Sequence, residues 1–204
     1  MSFASDPFAP SPVRSVALDV YTAAYRVSGK MATRFGRVAD ILNQATSTHL
    51  ILEEATISEY ADPTATVSAL QALVNLEEAL LVIAEESAES GSRAEMRIPK
   101  RPIRAQIGIP PFRLTGAVHV PQGSRPVDGL LNAGDRFLPM TEATIACAPH
   151  PELARTAGAV AFQRVRAHVI LVTDDERPDQ LLADVLDAAT AERWLHGSRE
   201  ADSD

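Results

Sequence analysis

Arg26 to Ile57 reads RVSGKMATRFGRVADILNQATSTHLILEEATI, and Arg113 to Ile145 reads RLTGAVHVPQGSRPVDGLLNAGDRFLPMTEATI. The two stretches share residue types in one order: Arg26/Arg113, Gly29/Gly116, Gly36/Gly123, Arg37/Arg125, Asp40/Asp128, Asn43/Asn132, Glu54/Glu142 and Thr56/Thr144. Val16, Val20, Arg26 and Gly29 map onto Ile103, Ile107, Arg113 and Gly116 at an offset of 87. The offset becomes 88 at Arg37 and Asp40, 89 at Leu42 and Asn43, and 88 again over Glu54 to Ile57. One-residue drifts of this kind are what loops tolerate. The chain reads as one cassette written twice.

Working outward, Val16, Leu18 and Val20 alternate with polar or small residues, the period-two pattern of a half-buried strand. Tyr25, Val27 and Met31 continue in a second extended stretch. Val38, Ile41 and Leu42 then fall at i, i+3 and i+4, which puts them on one helical face. His49 to Ile57 returns to alternation, with a phase slip at Glu53-Glu54 that suggests a bulge.

Thr64 to Glu86 (TATVSALQALVNLEEALLVIAEE) needs arbitration. Alone it has the Ala, Leu and Glu content of a long helix. Aligned at an offset of 89, Leu73, Leu76, Ala79, Leu81 and Ile83 meet Phe162, Val165, His168, Ile170 and Val172, in text that alternates like a strand. Keeping one fold for both copies predicts a short helix near Val67 to Val74 and a strand near Glu78 to Glu85.

The expected organisation is a tail over 1–14, repeat unit 1 over 15–86, a linker over 87–102 and repeat unit 2 over 103–175. An amphipathic helix over 178–197 and a charged tail over 198–204 complete it. The helix carries Leu182, Val185, Leu186 and Ala189 on one face, with Pro178 at its start and Gly197 at its end. The fold class expected is α+β, mainly antiparallel β. Each unit has about four strands and a helix between the second and third. The two units pack about a pseudo-twofold axis around one continuous core.

Composition narrows the function classes. Of 204 residues, 46% are hydrophobic and 23% charged, which suffices for a packed core. A net charge of −8 and a pI near 5.1 disfavour nucleic acid, whose phosphates call for excess Lys and Arg. The exception is a basic stretch, Arg93, Arg97, Lys100, Arg101 and Arg104, with no aromatic residue nearby for base stacking. Cys147 stands alone, so no intramolecular disulfide forms. No signal peptide or membrane span is legible, and a soluble cytoplasmic protein is expected.

The second cassette holds P-x-G-S-R-x-x-D-x-L-L-N at Pro121 to Asn132 and R-F-L-P-M-T-E-A-T-I at Arg136 to Ile145. This resembles a family of small bacterial domains of unknown function with a Pro-x-Gly-x-Arg turn, Asp-x-Leu-Asn and a Phe-x-x-Leu-Thr-x-Ala-x-Val strand. The first cassette departs from it, with Arg34 in place of the proline and His49 in place of the phenylalanine. The resemblance implies a fold and no activity.

The shared polar residues admit several readings. Gly36, Arg37, Asp40, Asn43 and their partners Gly123, Arg125, Asp128, Asn132 form two loops that could hold a small ligand or anion such as a nucleotide or phosphate. The plainer reading gives the Arg and Asp, three apart, a helix-surface ion pair, the Asn a helix end and the Gly a turn. An enzyme would need Asp128, Asn132, Glu142 and Thr144 in one pocket. No catalytic residue, metal site or cofactor is assigned. His49, His119, His150, His168 and His196 lack metal-ligand spacing, and Cys147 lacks a visible base. These observations favour a non-catalytic interaction, regulatory or self-assembling scaffold, whose partner is another protein or the chain itself, with no membrane partner.

Overall fold

The structure, a computed structural model, describes residues 12–62, 64–85 and 100–173. In order these form β1 (Arg14–Tyr21), β2 (Tyr25–Thr33), α1 (Val38–Asn43), β3 (His49–Glu59), β4 (Thr66–Asn75) and β5 (Leu81–Ala84). They continue as β6 (Lys100–Ile109), β7 (Phe112–Pro121), α2 (Pro126–Leu131), β8 (Phe137–Cys147), β9 (Arg155–Gln163) and β10 (Val169–Thr173). The ten strands make one sheet in the order β10-β6-β7-β8-β9-β5-β1-β2-β3-β4. Every neighbouring pair is antiparallel. The fold is mostly antiparallel β with little helix.

Both halves of the sheet run in the same internal order, β5-β1-β2-β3-β4 and β10-β6-β7-β8-β9. Their ladders also keep the same register. Val16 faces Met31 while Ile103 faces Val118, a shift of 87 on both strands. Leu50 faces Val74 while Leu138 faces Phe162, a shift of 88 on both. Leu18 faces Ala84 while Ala105 faces Val172, shifts of 87 and 88.

The phase slip at Glu53-Glu54 is a bulge. The β2–β3 register shifts between Ser28 and Lys30, and β7–β8 shifts between Thr115 and Ala117. The extra residues, Glu54 at φ 50° and Glu142 at φ 51°, are the non-glycine positive-φ residues among those described. Each bulge drives backbone toward the glycine on the neighbouring strand. A Cβ on Gly116 would stand 2.8 Å from the Thr141 carbonyl oxygen, and one on Gly29 would stand 2.9 Å from Leu52 Cβ. Gly29 and Gly116 recur because no larger residue clears the bulge.

Several expectations are corrected. Val67 to Val74 is not a helix but most of β4, held to β3 from His49↔Asn75 to Ser58↔Thr66. A ladder of that length outweighs helix propensities of a few tenths of a kcal/mol per residue. The strand near Glu78 to Glu85 is the shorter β5, so each half has five strands rather than four. In β4 and β5 the shift is 88 rather than 89, which makes Val74, not Leu73, the counterpart of Phe162. A slip of one residue moves side chains to the opposite face. Lys100 to Pro102, read as linker, open β6. The helix expected over 178–197 lies outside the described residues.

The packing differs too. The described residues form two buried clusters instead of one continuous core. One gathers Leu114, Met140, Ile145 and Phe162 with Tyr21, Tyr60, Leu81 and Ile83 from the first half. The other gathers Leu18, Val20, Ile41, Leu42 and Leu52 with Phe137 and Ala161 from the second. The halves join through β5 and β9, with Leu81↔Phe162, Val82↔Ala161 and Ile83↔Val160. Those are strands of unlike position, whereas a twofold axis brings like positions together. The expected pseudo-twofold packing is replaced by a head-to-tail contact.

Candidate functional site

Two places concentrate polar chemistry: the junction between the halves and a cleft beside α2. The junction is built around Asp19 on β1, a strand whose last four residues, Leu18 to Tyr21, are all buried. Asp19 Oδ2 accepts from Arg155 Nη1 of β9 at 2.6 Å and from Arg26 Nη2 of β2 at 2.9 Å. Ser28 Oγ donates to Oδ1, and Arg155 Nη1 also reaches the Tyr21 hydroxyl at 2.9 Å. Burial disfavours the Asp19 carboxylate, yet the bonds from Ser28, Arg26 and Arg155 outweigh it and hold its pKa below the ordinary value.

Asn43 supplies a second lock. Its amide nitrogen donates to the Phe137 carbonyl at 2.8 Å, and its Oδ1 accepts from the Phe137 backbone N–H at 2.8 Å. The α1 helix thereby clamps the start of β8, and the Phe137 ring is fully buried beneath it. Asn43 thus has a structural partner across the junction. Asn132 does not correspond to it: Asn132 is the C-cap of α2, donating its N–H to Asp128 O, as Gln44 does for α1. The residue 88 after Asn43 is Leu131, which is 67% exposed.

The cleft beside α2, about 290 Å³, is lined by Lys100, His119, Ser124, Asp128, Asn132 and Asp135 among others. His119 Nε2 lies 3.0 Å from the Thr141 hydroxyl. Burial, then the charges of Lys100 and Arg37, lower the His119 pKa, which favours the neutral ring.

Of the eight residues proposed for ligand binding, Asp128 and Asn132 line this cleft. Gly123 occupies the preceding turn at φ 82°, and Arg125 is the N-cap of α2. Gly36 precedes α1, where a Cβ would stand 2.7 Å from Arg14 Nη2. Arg37 is the N-cap of α1, and the Asp40 carbonyl accepts the Gln44 N–H. No salt bridge joins Arg37 to Asp40 or Arg125 to Asp128 among the described residues. The ion pairs expected at that spacing are absent because Arg37 and Arg125 cap their helices in extended conformation instead of lying on the helical surface.

Glu142 and Thr144 stand apart from the cleft. Glu142 sits exposed on its bulge, 3.2 Å from Arg104, and Glu54 pairs with Lys30 in the same way. Asp128, Asn132, Glu142 and Thr144 are therefore not gathered in one pocket. Arg101 and Arg104, read as linker charges, belong to β6, and Arg101 reaches the Ser124 carbonyl at 3.4 Å. Cys147 is buried at the end of β8, and burial raises its thiol pKa, which suits a packed thiol more than a nucleophile.

Asp19 and Arg155 were not singled out by the sequence, and Phe137 entered only as the phenylalanine of the second cassette's motif. The available signal was a carboxylate flanked by Leu18 and Val20 in a strand. No protein-family model, curated protein or solved structure matches the chain.

Proposed function

We propose that this protein is a non-catalytic scaffold that assembles with itself, built from a duplicated five-stranded unit. The observation that carries this reading is the pair of sheet ends. Among the described residues, β4 pairs only with β3 and β10 only with β6. Both ends are apolar. Ile51, Val67, Leu70 and Leu73 are exposed on β3 and β4, and Val127 and Leu131 on α2, Val165 in the turn before β10 and Val169 on β10 are exposed as well. These are eight of the eleven exposed large hydrophobics described. An open edge with such a surface invites another chain. The shared ladder registers and paired bulges support the duplication.

A second reading has one observation in its favour: Lys100, His119, Asp128 and Asn132 around the α2 cleft suit a small polar ligand.

Light scattering on the full chain during size-exclusion chromatography tests the first reading. A defined multiple of 21.9 kDa is expected at micromolar concentration. A monomer at every concentration contradicts it.

A further inference from the structure

Among the described residues, the contact between β5 and β9 has an unused twin. In the shared register β10 stands where β5 stands, and β4 stands where β9 stands. We propose that the chain assembles head to tail: β4 of one copy adds to β10 of the next as β9 adds to β5 within the chain, and α2 seats on the neighbour's β3 and β4. This deepens the self-assembly reading above and rests on it.

The register follows by arithmetic. Subtracting 88 on β9 and adding 88 on β5 converts Leu81↔Phe162, Val82↔Ala161 and Ile83↔Val160 into Val169 facing Val74, Ile170 facing Leu73 and Leu171 facing Ala72. The backbone bond from Gln163 N–H to Leu80 O, 2.9 Å within the chain, becomes Asn75 N–H to His168 O between copies. Every side chain in the proposed ladder is apolar, as in the existing one.

Exposure agrees with what such a contact would cover. Ala161 is fully buried, while its counterpart Leu73 is 70% exposed beside its β3 neighbour Ile51. Ala39 on α1 is 5% exposed, packed in the cluster that holds Phe137 and Ala161; its counterpart Val127 on α2 is 56% exposed. Leu131 takes the place of Asn43 on the same side of the helix. A copy seated on β4 would therefore place Val127 and Leu131 over Leu73, Ile51 and His49.

Charge agrees too. The internal junction buries Asp19 against Arg155. Adding 87 to Asp19 gives Gln106, and subtracting 88 from Arg155 gives Val67. Both charges are replaced together, so the second contact would leave no buried ion without its partner. Heterologous contacts of this kind close into rings where the rotation permits, and the added strand supplies backbone hydrogen bonds.

The test uses two full-length variants, Leu70→Lys/Leu73→Lys at the β4 end and Val127→Lys/Leu131→Lys at the α2 end. All four positions are exposed in the single chain, so the sheet should keep its circular dichroism. If either double variant unfolds, Leu73→Ser and Leu131→Ser give the same comparison. Native mass spectrometry should show a wild-type oligomer, each variant as a monomer, and a heterodimer when the two are mixed. The mixture pairs the one intact α2 end with the one intact β4 end. Variants that keep the wild-type mass would overturn this contact while leaving self-assembly standing. A monomeric wild type would remove both, including the case in which the chain's own C-terminal segment covers the edge. Loss of assembly in the β4 variant alone, with no heterodimer on mixing, would mean a β4-to-β4 contact instead.

Discussion

Asp19→Ala lowers the unfolding free energy by about 3–5 kcal/mol at neutral pH, the usual cost of removing one partner from a buried ion pair. The carboxylate is 7% exposed and receives bonds from three side chains on two other strands. Without it Arg155, which ties β9 to β1, faces the Tyr21 hydroxyl with no counter-charge. The loss should appear as a lower denaturation midpoint with an unchanged slope. Acid should act in the same direction. A carboxylate whose folded pKa is depressed contributes stability that is fully present above its unfolded value, near 3.8, and is lost as pH falls through the folded value. Asp19→Asn should therefore flatten the stability profile below about pH 4. A wild-type profile no steeper than that of Asp19→Asn would remove Asp19 from this role.

Phe137→Ala should cost about 3–5 kcal/mol, the range for deleting a buried phenylalanine ring. The ring is fully buried in a cluster drawn mainly from the first half, although Phe137 belongs to the second. Its loss should weaken the fit between the halves as well as the local core. Unfolding should be followed at one fixed protein concentration, because any self-association contributes to apparent stability. A loss below about 1 kcal/mol would mean that the site collapses around the missing ring and that the halves are held by other contacts.

Phe137 also shows what was legible in the sequence. The cassette exposed the bulge at Glu53-Glu54 and the helix between the second and third strands, because these are local. Val38, Ile41 and Leu42 identified α1 by spacing, and Glu53-Glu54 identified a bulge by phase. The substitution of His49 for phenylalanine was visible as a departure but had no cause. The structure supplies one: Phe137 lies buried at the internal junction, and His49 lies exposed beside the end of β4.

β4 was not legible for a related reason. Nine of its ten residues are not buried and six are exposed, with Leu70 and Leu73 among the most exposed, so no core period marks the strand. Its Ala, Leu and Gln content then resembles a helix. The Asn43 and Asn132 pairing failed through a one-residue slip that aligned identical letters across different helix positions. The arrangement at Asp19 was hidden because its partners lie 7, 9 and 136 residues away.

The head-to-tail contact is tested most directly by a cross-link in the proposed register. Cα atoms facing each other across an antiparallel ladder are about 4.5–5.5 Å apart, inside the roughly 4.4–6.8 Å that a disulfide spans. Leu73→Cys and Ile170→Cys together in one chain should yield reducible species of two or more chains on a non-reducing gel under mild oxidation, and either substitution alone should not. A gel that shows only single chains, from a double variant that is oligomeric in solution, would contradict the β4-to-β10 contact.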